Sequence, residues 1–158
     1  MIDDEDTALK LFVVLTRAAT AVGRHSNADI SRMGLSPGEF SILEALYSKG
    51  PLLLGEVQKK VLVSSGGVTY LVDRLAAQGL VERRECATDR RARYAALTPK
   101  GEALIGEMFP AHRAVVARSV QGLDREEQEQ AIALLRKLGM AAAELSLVTP
   151  DDPAGVPD

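Results

Sequence analysis

The chain has 158 residues, 46% of them hydrophobic and only 4% aromatic, with no tryptophan and a formal net charge of −3. That length suits one compact domain, or one domain with a helical extension, and sparse aromatics favour aliphatic helix packing over a β-sandwich. No apolar run reaches the ~18 residues of a membrane span. The acidic start Met1-Ile2-Asp3-Asp4-Glu5-Asp6 lacks the basic region of a signal peptide, and the single cysteine, Cys86, cannot close an internal disulfide. A cytoplasmic protein with no membrane contact is expected.

The acidic total hides an uneven distribution. Lys59 to Lys100 holds nine basic and four acidic residues, a net of +5, while the remainder holds ten basic and eighteen acidic, a net of −8. A basic module inside an acidic frame is a local footprint for phosphate.

In chain order, Asp6 to Ser31 is expected to be helical, with Leu9, Leu11, Phe12, Val13, Leu15, Ala19 and Val22 forming a broad apolar face. So broad a face suggests more than one neighbour. Gly34-Leu35 breaks it. Ser36-Pro37-Gly38-Glu39 then starts a second helix as a capping box, with Pro37 at its first position. Phe40, Ile42, Leu43, Leu46 and Tyr47 supply its buried side, and Gly50-Pro51 ends it. Leu52 to Leu54 reads as a short strand and Gly55 to Val61 as a short helix, which lacks a good N-cap because Leu53 stands where Ser or Thr is preferred.

From Ser64 the pattern changes. Val68, Leu71, Val72 and Leu75 fall at i, i+3, i+4 and i+7, so one face of a helix is apolar. Ser64 or Ser65 can cap it, and Gly79 stops it. The opposite face carries Ser65, Gly66, Thr69, Tyr70, Asp73 and Arg74, small or hydrogen-bonding groups of the kind that approach base edges in a major groove. Gly66 and Gly67 would let the backbone lie close to a phosphate, or would only loosen the helix start. Leu80 to Glu85 and Ala92 to Leu97 read as two strands flanking a projecting, arginine-bearing loop, Cys86 to Arg91. Two short helices, a tight turn and then a basic ribbon make the plan of a winged helix-turn-helix, the expected reading head for double-stranded DNA. Arg90 and Arg91 at the tip suit a narrow, electronegative minor groove. Arg83, Arg84 and Arg93 suit phosphates, or pairing with Glu82 and Glu85. Tyr70 would read bases or pack against Lys59 or the wing.

Thr98-Pro99 starts a helix running towards Gly122, with Pro110 expected to kink it. Asp124 to Glu127 is a second capping box, opening a helix to about Glu144 whose positions 131, 134, 135, 138, 142 and 145 form a pairing stripe. The tail 147–158 has nothing to bury and is expected to be disordered.

Other chemistry finds little support. His25 and His112 have no partner at metal-ligand spacing, so no metal is expected. They are expected to face solvent or, alternatively, to line an effector pocket. No nucleophile elbow, P-loop or paired-His motif appears, so neither catalysis nor a cofactor is expected. Cys86 is the one candidate redox switch, with Arg83, Arg84, Arg90 and Arg91 placed to lower its pKa, and otherwise a small residue at a strand end.

The order of elements resembles the MarR family of transcriptional regulators. Val68 to Leu75, Gly79-Leu80-Val81, Asp89-Arg90-Arg91 and Leu97-Thr98-Pro99-Lys100-Gly101 carry the resemblance, which covers roughly residues 30 to 145. It implies a mainly α fold with a small β-wing. Residues 1–35 would form an N-terminal dimerisation helix, 36–98 the winged helix-turn-helix and 99–146 the C-terminal dimerisation helices. It also implies a homodimer, a palindromic operator, and release by a small aromatic ligand or by cysteine oxidation. The family's redox cysteines tend to lie near the N-terminus, where this chain has none. Residues carried over to DNA are Ser64, Ser65, Gly66, Gly67, Thr69, Tyr70, Arg74, Arg84, Arg90, Arg91 and Arg93, with Asp89 holding the wing arginines. Leu54 to Val57 together with Ser64 to Gly67 is similar to the subgroup that answers to quinones and other phenolic compounds, although Gly67 replaces the family's usual Ser or Thr. The alternatives are a winged-helix protein-interaction module without DNA binding and a Cys86 redox sensor.

Overall fold

The structure, a computed structural model, describes residues 4–61, 65–89 and 91–145, so that Ser64, Arg90 and the tail 147–158 lie outside the described residues. The chain divides into two compact units, Met1–Ser119 and Val120–Asp158. The first contains α1 (Asp4–Arg32), α2 (Pro37–Lys49), β1 (Leu52–Leu53), α3 (Leu54–Val61), α4 (Ser65–Ala77), β2 (Val81–Glu85), β3 (Arg93–Leu97) and α5 (Pro99–Ser119). The second contains α6 (Arg125–Glu144). No described helix is long and apolar enough to cross a membrane.

Local signals set most boundaries. The Ser36 hydroxyl accepts from the Glu39 N–H at 3.2 Å, and Glu39 Oε2 accepts from the Ser36 N–H at 2.8 Å, closing the first box. Asp124 and Glu127 close the second in the same way, each bond 2.9 Å long. α3 has half of such a box: Leu53 has no side chain that can cap, but Glu56 Oε2 accepts from its N–H at 2.9 Å. α5 continues through Pro110 as one helical span, although the ring removes one intrahelical donor.

The sheet is antiparallel in the order β1-β3-β2, with Leu52 opposite Ala95 and Val81 opposite Leu97. The core lies between this sheet and α2, α3, α4 and α5. Its fully buried members include Ile42, Leu43, Val57, Val72, Leu75 and Ile105. Fully burying each such side chain contributes about 1.5–3 kcal/mol. Tyr47 departs from expectation. It is 42% exposed, with its ring edge-on to Phe109 at 6.1 Å, because the end of α2 runs past the core.

The link from α4 to α5 is tightly built. Gly79 adopts φ 72°, and the Leu80 N–H bonds the Leu75 carbonyl at 3.0 Å, a glycine-terminated helix end. Thr98 Oγ1 donates to the Gly79 carbonyl at 2.6 Å and accepts from the Gly101 N–H at 3.0 Å. Lys100 Nζ reaches the Gln78 carbonyl at 2.9 Å. A Cβ on Gly101 would stand 2.0 Å from the Leu80 carbonyl oxygen, so only glycine fits there. The Leu-Thr-x-x-Gly segment is thus the clamp that fixes the end of α4 on the start of α5.

His112 also departs from expectation. It is 6% exposed, not solvent-facing, because its Nδ1 donates to Asp29 Oδ2 at 2.9 Å and its ring packs on Phe40 at 4.4 Å. Asp29 also accepts from Arg32 at 2.6 Å. The His112 hydrogen bond and the Arg32 guanidinium hold the Asp29 carboxyl below its ordinary range against the opposing effect of burial. This buried pair joins α1 to α5. His25 is exposed, as expected.

Candidate nucleic-acid interface

Two short helices and a ribbon form the site. α4 turns Val68, Val72 and Leu75 into the core, which leaves Thr69, Tyr70, Asp73 and Arg74 exposed on its outer side. Ser65 and Gly66 open the helix and Gly67 follows.

Beside this face stands the wing. Arg83 on β2 pairs with Asp73 on α4 at 2.8 Å, so the outer face of the helix and the ribbon adjoin. Arg84 pairs with Glu82 at 2.7 Å, one of the two roles expected for it. Arg91 and Arg93 are exposed and, among the described residues, carry no ion pair. Both line a 390 Å³ cleft with Leu53, Leu54 and Gly55, which sets the wing next to the start of α3. Lys59 and Lys60, exposed in the last turn of α3, add two further cations. Asp73 and Glu82 therefore neutralise one arginine each, while Arg91, Arg93, Lys59 and Lys60 are exposed and carry no ion pair among the described residues.

Asp89 holds the described part of the wing through backbone. Its Oδ1 accepts from the Arg91 N–H at 2.9 Å, and its carbonyl accepts from the Ala92 N–H at 3.1 Å. An aspartate that bonds the backbone two residues on makes a turn, which aims the following arginine outward.

Arg74 and Tyr70 interact with each other. The Arg74 guanidinium lies 5.8 Å from the Tyr70 ring centroid, and its Nη1 stands 3.4 Å from the hydroxyl. Arg74 Nε also donates to Glu39 Oε1 at 3.0 Å, and that carboxylate is 1% exposed. Tyr70 and then Glu39 push the Arg74 pKa above its ordinary value. Tyr70 therefore packs with Arg74, and not against Lys59 or the wing as the sequence allowed. The Glu39–Arg74 pair had no signature in the sequence, where Glu39 read only as a cap. Each carboxylate oxygen serves a different purpose.

Cys86 is half-buried, with Sγ 3.2 Å from Thr88 Oγ1. Its pKa is lowered by the Thr88 hydroxyl, then by the backbone N–H groups of Thr88 and Asp89. Two of the expected arginines, Arg83 and Arg84, are turned onto Asp73 and Glu82 instead. Among the described residues no group of His, Cys, Asp and Glu is arranged to hold a metal ion.

Away from this surface, Phe40 and Glu44 of α2 and Phe109, His112, Arg113 and Val116 of α5 line a 440 Å³ groove. Its walls are largely apolar, with one carboxylate and one guanidinium among the lining groups.

Comparison with known proteins agrees with this geometry. A model of the MarR family matches residues 33–92, which span the helix-turn-helix and most of the wing. The chain is 39% identical to the HTH-type transcriptional regulator MhqR of Bacillus subtilis over 137 residues, 87% of this chain and 94% of the relative. It is 30% identical to the HTH-type transcriptional repressor MdtR of the same organism over 113 residues, 72% of this chain and 73% of the relative. Among solved structures, BpsR of Bordetella bronchiseptica, whose DNA binding is regulated by 6-hydroxynicotinic acid, is 29% identical with a TM-score of 0.72. That match covers 80% of this chain and 90% of the other.

Proposed function

The chain belongs to the MarR family of DNA-binding transcriptional regulators, and we propose that it is a cytoplasmic, homodimeric repressor of a palindromic operator, released by a small ligand. The observation that carries the DNA part is the Arg83–Asp73 bridge. It sets the outer face of α4 and the wing side by side, with Thr69, Tyr70, Arg91 and Arg93 all exposed. α4 enters a major groove, where the backbone at Ser65 to Gly67 approaches a phosphate and Thr69 and Tyr70 approach bases. Arg91 enters the flanking minor groove, where the narrow, electronegative channel favours arginine. Arg93 and the lysines of α3 meet phosphates, which give affinity without reading sequence.

A duplex has room for two such heads. Two copies of α4 one helical turn apart, about 34 Å, occupy successive major grooves on one side of the DNA. The exposed apolar faces of α1 (Leu9, Phe12) and of α6 (Leu134, Leu135, Leu138) each offer apolar surface for pairing. Both heads must fit at once, so a ligand that changes their separation costs much of the affinity. The groove between α2 and α5 suits a small aromatic ligand, since Phe40 and Phe109 flank a ring while Arg113 and Glu44 meet its polar groups. BpsR, a relative regulated by a hydroxylated aromatic acid, supports that ligand class.

A gel-shift titration across salt concentrations tests the reading. Arg91→Ala is expected to weaken operator binding with the dimer intact. It is also expected to make the salt dependence shallower by about 1.8, about 0.9 for each of the two Arg91 side chains in the dimer. Unchanged binding would remove Arg91 from the interface.

A further inference from the structure

We infer that Arg74 is a positioning residue, and that Tyr70, held by the buried Glu39 through Arg74, reads one operator base by donating a hydrogen bond to it. The inference rests on the DNA-binding reading above and assigns the roles of two residues within it.

The geometry begins at Glu39. Its carboxylate is 1% exposed, and both oxygens are engaged: Oε2 with the Ser36 N–H at 2.8 Å, Oε1 with Arg74 Nε at 3.0 Å. A buried carboxylate is strongly disfavoured without a cationic partner, so Arg74 cannot leave it cheaply. Gly38 lies against the Leu71 side chain of α4, with its Cβ position 2.8 Å from Leu71 Cδ1, so the start of α2 and the middle of α4 are in close contact. With Nε committed inward, the guanidinium lies 5.8 Å from the Tyr70 ring centroid and directs Nη1 at its hydroxyl, 3.4 Å away. Stacking over the ring and bonding at its tip together restrict Tyr70 to one orientation on an exposed helix face.

The direction of that last bond decides what Tyr70 can read. Guanidinium carries donors only, so it can engage nothing but a lone pair of the phenol oxygen. The phenol O–H stays free to donate, while one of the oxygen's lone pairs is taken. Tyr70 thus offers a donor, suited to guanine N7 or O6, adenine N7 or thymine O4, in preference to accepting from the amino group of cytosine. Arg74 in turn spends its charge on Glu39 and adds little to phosphate attraction. Glu39, Tyr70, Arg74 and Leu71 come from only two helices, so no movement of the wing is required.

Selection of bound sequences from a random duplex pool tests this with the full-length wild type, Tyr70→Phe and Arg74→Gln, each followed by salt-dependent binding to the wild-type consensus. Wild type is expected to select an inverted repeat that disfavours cytosine at one position in each half-site. Tyr70→Phe, which removes only the donor, is expected to lose about three- to tenfold of that discrimination at this position and nowhere else. Arg74→Gln is expected to relax the same position with its salt slope unchanged. The double variant is expected to be no worse than Tyr70→Phe alone, because the two act as one unit. A uniform loss at all positions on Tyr70→Phe overturns base reading by Tyr70. A salt slope lowered by about 1.8, about 0.9 for each copy in the dimer, on Arg74→Gln, with preferences intact, makes Arg74 a phosphate ligand and overturns its positioning role. Failure of wild type to enrich any sequence overturns the DNA reading itself, a result separate from either of these. Tyr70→Phe keeps the test open should Arg74→Gln not fold, since an exposed hydroxyl is all it removes.

Discussion

In α4 the apolar residues three and four apart, Val68, Val72 and Leu75, are at most 2% exposed, whereas in α6 Leu138 and the leucines three and four positions before it, Leu135 and Leu134, are 38–68% exposed. α1 sides with α6: its Leu9 and Phe12 are more than 60% exposed, and only its end, at Asp29 and Ile30, is buried. Periodicity alone therefore specifies a face and not what covers it. For α4 the chain supplies its own cover from α2, α3 and the sheet. In α1 and α6 those residues stay exposed among the described residues, and large exposed apolar patches mark interaction sites. In the proposed homodimer a second copy covers each of them and brings a second α4 to the duplex.

The sharpest way to break that contrast is to charge the α6 stripe. Leu135→Glu with Leu138→Glu is expected to leave the winged unit folded, to yield monomers by light scattering, and to weaken operator binding about 10²–10⁴-fold, because one head loses the effective concentration given by the other. Next comes Gly101→Ala in the head. Its methyl would meet the Leu80 carbonyl, and a loss of about 3 kcal/mol or more is expected in urea unfolding.

Smaller in size is Asp29→Asn, at the buried junction of α1 with α5. A cost of about 1–3 kcal/mol is expected at neutral pH. The Asp29 pKa is depressed in the fold, so its stabilisation is fully present above the ordinary carboxylate value and is lost as pH falls through the lower, folded one. Wild-type unfolding midpoints should thus drop below about pH 4, where the Asn variant should be flatter. An equal acid dependence in both proteins would show that the Asp29–His112 bond contributes nothing of this kind. The smallest effect, and one of opposite sign, belongs to α6. Nothing lies within 4 Å of a Cβ at Gly139, so Gly139→Ala is expected to stabilise the helix by about 0.5–1 kcal/mol, read as a higher unfolding midpoint.

What could be read from the sequence was local. Ser36 with Glu39, Asp124 with Glu127, Gly79 after α4 and the alternation around the wing are all signals within a few residues, and each element they mark is present. Pairings between residues distant in sequence were not legible. Glu39 meets Arg74 across 35 positions, and His112 meets Asp29 across 83, so neither leaves a spacing to recognise. His112 reads as a surface residue beside Ala111 and Arg113, which are exposed, and only the packing of α5 on α1 and α2 turns its ring inward. Sequence offers Arg83 a phosphate or a neighbouring glutamate, whereas folding brings Asp73 of α4 to it.

The central claim is that the α4 face and the wing grip one duplex together, twice, through a pair of chains. Determining the bound stoichiometry and footprint on sequences enriched from a random pool tests it most directly. Two chains per duplex on an inverted repeat, with half-site centres about 10–10.5 base pairs apart and protection extending into the flanking minor grooves, is the predicted result. Binding by single chains to unpaired half-sites, or no enrichment at all, would contradict it.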